Sequence, residues 1–264
     1  MLEIRDSVAV ITGGAQGIGK ALAEYWVANG GKVVLADMAE DALDEAAESM
    51  ESLGGKVVTV PCNVTRESDC EKLADVAIEA FGKINLLAPF AGITKDCLVF
   101  STDKATGKVS AKMSLDQFQS VLNINLTGVF LTIRACIERM INFNCKGLVC
   151  LVSSTGSLGT AGQLNYSSSK AAVAIMPKVL TAEFFRRGFA DRIRCVAIAP
   201  GYVGTDMVRR IGRKVMEKIL DQIPIGRLID PYEIASFVGE IYRNEAIAGE
   251  VFFIHGGLRL GSRG

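Results

Sequence analysis

The chain has 264 residues, 49% hydrophobic and 22% charged, with 29 Lys and Arg against 29 Asp and Glu. This composition excludes a disordered chain, and the absence of net charge leaves no overall basic field for nucleic acid or an anionic membrane. The length suits one large α/β domain with a sizeable core, or two small ones.

SVAVIT (7–12) is β-rich and ends in glycines; KALAEYWVANG (20–30) has helical spacing and stops at Gly30 and Gly31, a C-cap signal. KVVLAD (32–37) is a second buried strand, AEDALDEAAESMESLGG (39–55) a helix, KVVTVPCNV (56–64) a strand, ESDCEKLADVAIEAFG (67–82) a helix and KINLLAPFAG (83–92) a fourth strand. A long helix near Leu115–Ile141, the strand GLVCLVS (147–153), a helix from about Leu164 to Arg187 and the strand RIRCVAIAP (192–200) follow. PYEIASFVGEIYR (231–243) is helical, and GEVFFIHGG (249–257) closes the sheet. The strand runs lack polar alternation, as strands buried on both faces do. The expected fold is a doubly wound, Rossmann-type parallel sheet of seven strands flanked by helices. It forms a single domain over 1–264, with a nucleotide-binding half at about 1–92 and a catalytic and substrate half at about 93–264.

FSTDKATGKVSAKMS (100–114) stands outside this alternation, polar and lysine-rich. It reads as a solvated loop with a small hairpin around Ala105–Lys108, or as a rim of a substrate pocket. ATGKVS lacks the earlier glycine and the leading strand of a phosphate-binding P-loop.

Seven cysteines (Cys62, Cys70, Cys97, Cys136, Cys145, Cys150 and Cys195) form no CxxC pair, and the sole histidine is His255. No zinc site is expected from such a set. The cysteines read as reduced and mostly buried, as in a cytoplasmic protein. The start of the chain has no signal-like segment, and no apolar run approaches the ~20 residues of a membrane span.

TGGAQGIGK (12–20) follows the first strand and opens the first helix, with Gly13, Gly17 and Gly19 spaced GxxxGxG. Glycine permits positive φ and close approach of a pyrophosphate, and the helix N-terminus offers free N–H groups to it. Asp37 ends the second strand, where a carboxylate accepts the adenosine ribose hydroxyls and repels a 2′-phosphate. Neither Ala15 and Gln16 nor Met38 and Ala39 supplies a cation for such a phosphate. NAD is therefore expected over NADP. In QLNYSSSK (163–170), Tyr166 and Lys170 share one helical face. The pair reads either as an ordinary exposed turn or as a phenol whose proton is kept mobile by an ammonium.

Taken together these residues resemble the short-chain dehydrogenase/reductase family in its compact form, over nearly the whole chain. The matching motifs are TGxxxGxG at Thr12–Gly19, NINLTGVF (123–130), YxxxK at Tyr166–Lys170, APGYVGTDM (199–207) and IPIGRLIDPYEIA (223–235). The overall pattern is closest to 3-oxoacyl-acyl-carrier-protein reductases. The resemblance implies an NAD(H)-dependent oxidoreductase that interconverts a secondary alcohol and a ketone. A 3-oxoacyl thioester, a hydroxysteroid and a cyclic or aliphatic alcohol remain open as substrates. A non-catalytic NAD-binding scaffold is the reading from another class.

The resemblance assigns proton transfer to Tyr166, phenolate stabilisation and ribose contact to Lys170, and polarisation of the substrate oxygen to Ser153, thirteen residues before the tyrosine; the neighbouring Ser154 is the weaker candidate, since its register does not match the family's. Asn125 would bend the long helix and hold a proton-relay water. Gly13, Gln16, Gly17, Ile18, Gly19 and Asp37 would hold the adenosine and pyrophosphate. Asn63 and Val64 would face the adenine, Ala91 and Gly92 the ribose. Pro200, Gly201, Val203 and Thr205 would wrap the nicotinamide. Arg139 and Arg187 would dock an acidic acyl carrier, a lid over Met207–Ile223 would shape the substrate choice, and a homotetramer with 222 symmetry, or a dimer, is implied. Pro89-Phe90 departs from the family's Asn-Asn at that point, which predicts local rearrangement around a retained Ala91-Gly92. His255 is expected to be structural.

Overall fold

Seven of the apolar runs become the strands of one parallel sheet in the computed structural model, which describes residues 1–205, 208 and 212–258. The strands are β1 (Val8–Thr12), β2 (Lys32–Asp37), β3 (Lys56–Pro61), β4 (Leu86–Pro89), β7 (Gly147–Val152), β8 (Ile193–Pro200) and β9 (Val251–Ile254), in the order β3-β2-β1-β4-β7-β8-β9. β1, β4, β7 and β8 are buried along their whole length, which explains their lack of polar alternation. The order reverses between β1 and β4, and α/β sheets bind ligands in the crevice that such a reversal opens.

Helices cover both faces. On one, α1 (Gly17–Ala28) packs on α8 (Pro231–Arg243), with Trp26 edge-on to Tyr242 at 4.8 Å. On the other lie α3 (Glu67–Phe81), α5 (Val129–Asn142) and α6 (Leu164–Arg187), burying Leu73, Ile133 and Val173 against the sheet. The remaining α-helices among the described residues are α2 (Glu40–Glu51), α4 (Leu115–Leu122) and α7 (Arg213–Leu220). Helix ends follow local chemistry: Asp230 and Glu233 form a capping box ahead of Pro231, and Gly82 and Gly188 close α3 and α6 in the left-handed region.

α4 and α5 join through a π-helical segment, Asn123–Gly128, so the helix expected near Leu115–Ile141 is one rod with an internal distortion. This rod, Leu115–Asn142, is long and apolar enough to cross a membrane, contrary to the expectation from the sequence, but half of its apolar window is buried inside the fold. The 100–112 segment forms an antiparallel hairpin of β5 (Phe100–Thr102) and β6 (Val109–Lys112), with Asp103 accepting from Ala105 and Thr106 to make its turn.

Arg194 sits on β8 at 7% exposure. Its guanidinium donates to the carbonyls of Ile241, Tyr242, Asn244 and Ile247 at 2.7–3.2 Å. It thereby satisfies the otherwise orphaned end of α8. Arg194→Met should cost about 3 kcal/mol, because several buried carbonyls lose a charged donor at once. Thermal denaturation should show Tm lowered by roughly 6–12 °C; an unchanged Tm would mean that water replaces the guanidinium.

Candidate active site

The motif residues gather at the carboxyl ends of the strands. β1 leads into the glycine loop, where Gly13 has φ +67°; a Cβ there would stand 2.8 Å from the backbone of Ala91. At Gly19 a Cβ would fall 2.2 Å from the Gly13 carbonyl oxygen. The loop thus has room only for backbone, and it opens directly onto the N-terminus of α1. Asp37 ends β2 half-buried; its Oδ2 accepts from Ala15 N at 3.2 Å, and its Oδ1 from Met38 N and Ala39 N at 2.8 and 3.2 Å. The carboxylate therefore holds the loop in shape besides supplying negative charge. These residues fit the adenosine and pyrophosphate of a dinucleotide.

Val64 is buried beyond β3, and Gly128 in the π segment exists where a Cβ would meet Val64 Cγ2 at 2.7 Å. Asn63 Oδ1 already accepts from Thr65 N and Thr65 Oγ1, at 3.0 and 2.7 Å. That oxygen is engaged, and the amide NH2 is left for a ligand. After β4, Phe90 N donates to Thr12 O and Ala91 N to Thr12 Oγ1, so Ala91-Gly92 stays against the glycine loop despite the Pro-Phe departure. Phe90 packs into the core on the α1 side. At the end of β8, Val203 is buried and Thr205 lies against Gly17. Of the stretch 199–207, residues 206 and 207 lie outside the described residues, as do 209–211 of the expected lid.

Tyr166 stands in the first turn of α6, and its ring and the Ser154 hydroxyl both border Gly156, where a Cβ would lie 3.3 Å from Tyr166 Cε1 and 3.4 Å from Ser154 Oγ. Lys170 is 4% exposed; its Nζ lies 5.7 Å from the Tyr166 ring centroid and donates to Val152 O at 2.9 Å. Burial pulls the Lys170 ammonium down to about 8. Burial also pushes the Tyr166 phenol above its ordinary value, the Ser154 hydroxyl opposes this, and the Asp96 carboxylate adds to the rise. Desolvation thus dominates in the protein alone, against the expectation that Lys170 lowers the phenol.

Two of the expected residues make other contacts in the protein. Ser153 is 2% exposed and its Oγ donates to Lys170 O at 2.8 Å, so its hydroxyl is turned into the fold. The serine beside the phenol is Ser154, the first residue of the turn, which also accepts from Gly156 N. Arg139 pairs with Glu71 and Asp75 of α3 and with the adjacent Glu138, so acids of its own chain compensate its charge. Arg187, on the last turn of α6, is exposed.

Asn125 is fully buried within the π segment. Its carboxamide exchanges two 2.9 Å hydrogen bonds with the backbone of Ile93 and reaches Ser169 at 3.4 Å. A residue that sequence reasoning passed over does similar work. Asn165, fully buried, donates to Lys95 O and Gln117 O and accepts from Tyr166 N at 2.8 Å. Its only signal was an amide immediately before the tyrosine. His255 accepts from Gly257 N and packs on Gly201, a structural position.

The sequence profile of the short chain dehydrogenases matches residues 7–215. A 3-oxoacyl-(acyl-carrier-protein) reductase from Thermotoga maritima is 32% identical over 259 residues, covering 97% of this chain and 99% of the relative. A 3-hydroxyacyl-CoA dehydrogenase type-2 from Drosophila melanogaster is 35% identical over 264 residues, with 97% and 99% covered. Among solved structures, a 7α-hydroxysteroid dehydrogenase complexed with NADH and 7-oxo glycochenodeoxycholic acid superposes with a TM-score of 0.86 at 25% identity, covering 97% of this chain and 95% of that one.

The lowered Lys170 value makes a stability prediction. A base whose folded value, about 8, lies below its ordinary 10.5 destabilises the fold at neutral pH, by about 3 kcal/mol. The penalty disappears as pH rises through 8 to 10.5, because the unfolded chain binds the extra proton in that window. Lys170→Met gives up one hydrogen bond, about 1 kcal/mol, and should be at least as stable as the parent at pH 7. Urea denaturation at pH 7 and pH 10 should show the parent gaining on the variant; a constant difference would refute the buried charge.

Proposed function

The chain belongs to the short-chain dehydrogenase/reductase family and is an enzyme of that oxidoreductase class; we propose that it interconverts 3-hydroxyacyl and 3-oxoacyl thioesters with NAD(H). The observation that carries this reading is the grouping of Tyr166, Ser154 and Lys170 at the end of β7, beside the glycine loop that Asp37 props. The two thioester-active relatives named above support the substrate class.

Gly13, Gly17, Gly19 and the start of α1 hold the pyrophosphate, Asp37 the adenosine ribose, Val64 and the Asn63 amide the adenine, and Val203 and Thr205 the nicotinamide end. When bound, the dinucleotide exchanges a hydride with the carbonyl carbon. The Tyr166 phenol gives a proton to the substrate oxygen in reduction and removes it in oxidation. Ser154, rather than Ser153, donates a hydrogen bond to that oxygen and concentrates charge on it. Lys170 lies under the cleft, where its ammonium opposes the rise that burial imposes on the phenol once a ligand closes the site. The Asn125 carboxamide is spent on Ile93, so a relay water would use a backbone carbonyl freed by the π segment.

Exposed Ile175 and Val179, one turn apart on α6, with Phe130 on α5, suit a face between copies in a homotetramer. The buried, unpaired cysteines suit a cytoplasmic protein. A hydroxysteroid substrate is the second reading, favoured by the structural likeness to the bile-acid-bound enzyme.

Fluorescence titration should show NADH binding about a hundredfold more tightly than NADPH, because Asp37 faces the 2′ position with a like charge. Equal binding, or preference for NADPH, would overturn the cofactor assignment. With acetoacetyl thioesters and a 7-oxo steroid compared as substrates, thioester turnover should dominate. Tyr166→Phe and Ser154→Ala should each lower kcat by roughly 10²–10⁴ with NADH affinity retained. Ser153→Ala should change kcat far less; the reverse ranking of the two serines would return the polarising role to Ser153.

A further inference from the structure

The hairpin β5–β6 is unexplained by the chemistry above. Every residue from Thr102 to Lys112 is exposed, and the two strands pair only with each other. Its cations, Lys104, Lys108 and Lys112, contact no carboxylate among the described ion pairs, in which Lys95 instead meets Asp116. The hairpin's only acid, Asp103, is occupied in its turn with Ala105 and Thr106. Two large apolar side chains, Phe100 at 59% and Val109 at 53% exposure, stand in water on the same hairpin. The register pairs Phe100 with Lys112 and Thr102 with Val109, so Phe100, Val109 and Lys112 share one face.

This cationic and apolar arm is anchored at the reaction centre. Ile93 is clamped by Asn125, Lys95 O by Asn165, Asp96 by Gln163, and Cys97 N by Gly162 O. Asn165 also holds the backbone of Tyr166 itself. From Cys97 the chain can extend at most roughly 25 Å to the hairpin tip. That length bounds how far the hairpin cations can stand from the strap that Asn125, Asn165 and Gln163 hold beside the phenol.

We infer that the hairpin is the carrier-recognition arm of the site: Lys104, Lys108 and Lys112 bind the phosphates of a coenzyme A thioester, and Phe100 and Val109 cover its pantetheine. This rests on the thioester reading above. An acyl carrier protein fits worse, because a single short hairpin presents far less than the ~800 Å² per partner of a protein interface, and Arg139 is already neutralised by acids of its own chain. A compact phosphate cluster needs only a few converging cations.

The test compares acetoacetyl-CoA with S-acetoacetyl-N-acetylcysteamine, which carries the same reacting thioester without phosphates, in the parent and in K104A/K108A/K112A. All three lysines are exposed, so the variant should fold as the parent does. KM for acetoacetyl-CoA should rise about tenfold, with kcat and the KM of the truncated thioester unchanged. Free coenzyme A should inhibit the parent competitively and the variant about tenfold more weakly, and added salt should narrow the gap. Equal KM values for parent and variant would overturn the arm while leaving the thioester reading intact. So would an equal rise for both substrates, or strong preference for an acyl-carrier-protein thioester that the variant keeps. A parent that turns over neither thioester, with the 7-oxo steroid accepted, would overturn the functional reading and the arm with it.

Discussion

A lysine ammonium buried almost completely under the cleft is the constraint to which the surrounding structure answers. Among the described residues, Lys170 has one hydrogen-bond acceptor, the carbonyl of Val152. That carbonyl is available because of what β4 fails to do. Leu148 N bonds Asn85 O on the β4 side, and alternation puts the backbone groups of Val152 on that same side. The β4–β7 ladder stops at Leu87 and Val149, while pairing of β4 with β1 continues to Pro89. Proline has no N–H to carry the ladder toward the end of β7. The Pro-Phe departure thus lies at the place where the central strand must release β7 and let a side chain take its carbonyl.

The same cleft imposes the π segment. A regular helix through Asn123–Gly128 would make all its bonds internally and would turn its side chains by another increment. The wider turn instead seats Asn125 under Ile93 and lets Gly128 approach Val64. Two buried asparagines, Asn125 and Asn165, then hold the chain from Ile93 to Lys95 as a strap over the site. The strap begins at Ala91-Gly92, against the glycine loop, and ends in the exposed hairpin. Polar side chains hold it because its backbone belongs to no ladder and must find partners elsewhere.

The framework was legible where one physical rule acted alone. Runs such as KVVLAD and GLVCLV are apolar on both faces and could only be interior parallel strands; 32–37 is the observed β2, and β7 ends one residue before the expected boundary. Tyr166, Lys170, Gly13, Gly19 and Asp37 were visible because backbone clearance and helical periodicity fix their spacing. Ser154 ranked behind Ser153, because counting back from the tyrosine does not reveal where β7 stops. Ser153 still obeys the inward alternation of the strand, and the next residue, already in the turn, meets the phenol. Arg139 meets a similar limit: its charge is visible in sequence, but its pairing with Glu71 and Asp75 comes from α3, far along the chain. The π segment left no periodic signal, since one wide turn inside a long helix alters registry by less than the pattern resolves.

On the proposed reading, Asp37 ties cofactor choice to the shape of the fold. If its carboxylate only faced the ribose, exchanging it for a neutral residue would simply admit a 2′-phosphate. Instead Oδ2 holds Ala15 N, in the tip of the glycine loop, and Oδ1 caps the turn through Met38 and Ala39. The carboxylate proposed to discriminate between the two dinucleotides is also the acceptor that shapes the glycine loop. A neutral residue at this position would therefore weaken both dinucleotides before it favoured either. A shift toward the phosphorylated cofactor would need a second donor-acceptor pair to hold Ala15, together with a cation near Met38. The proposed preference would follow from the way β2 ends against the loop of β1, which is the same crossing that opens the cleft.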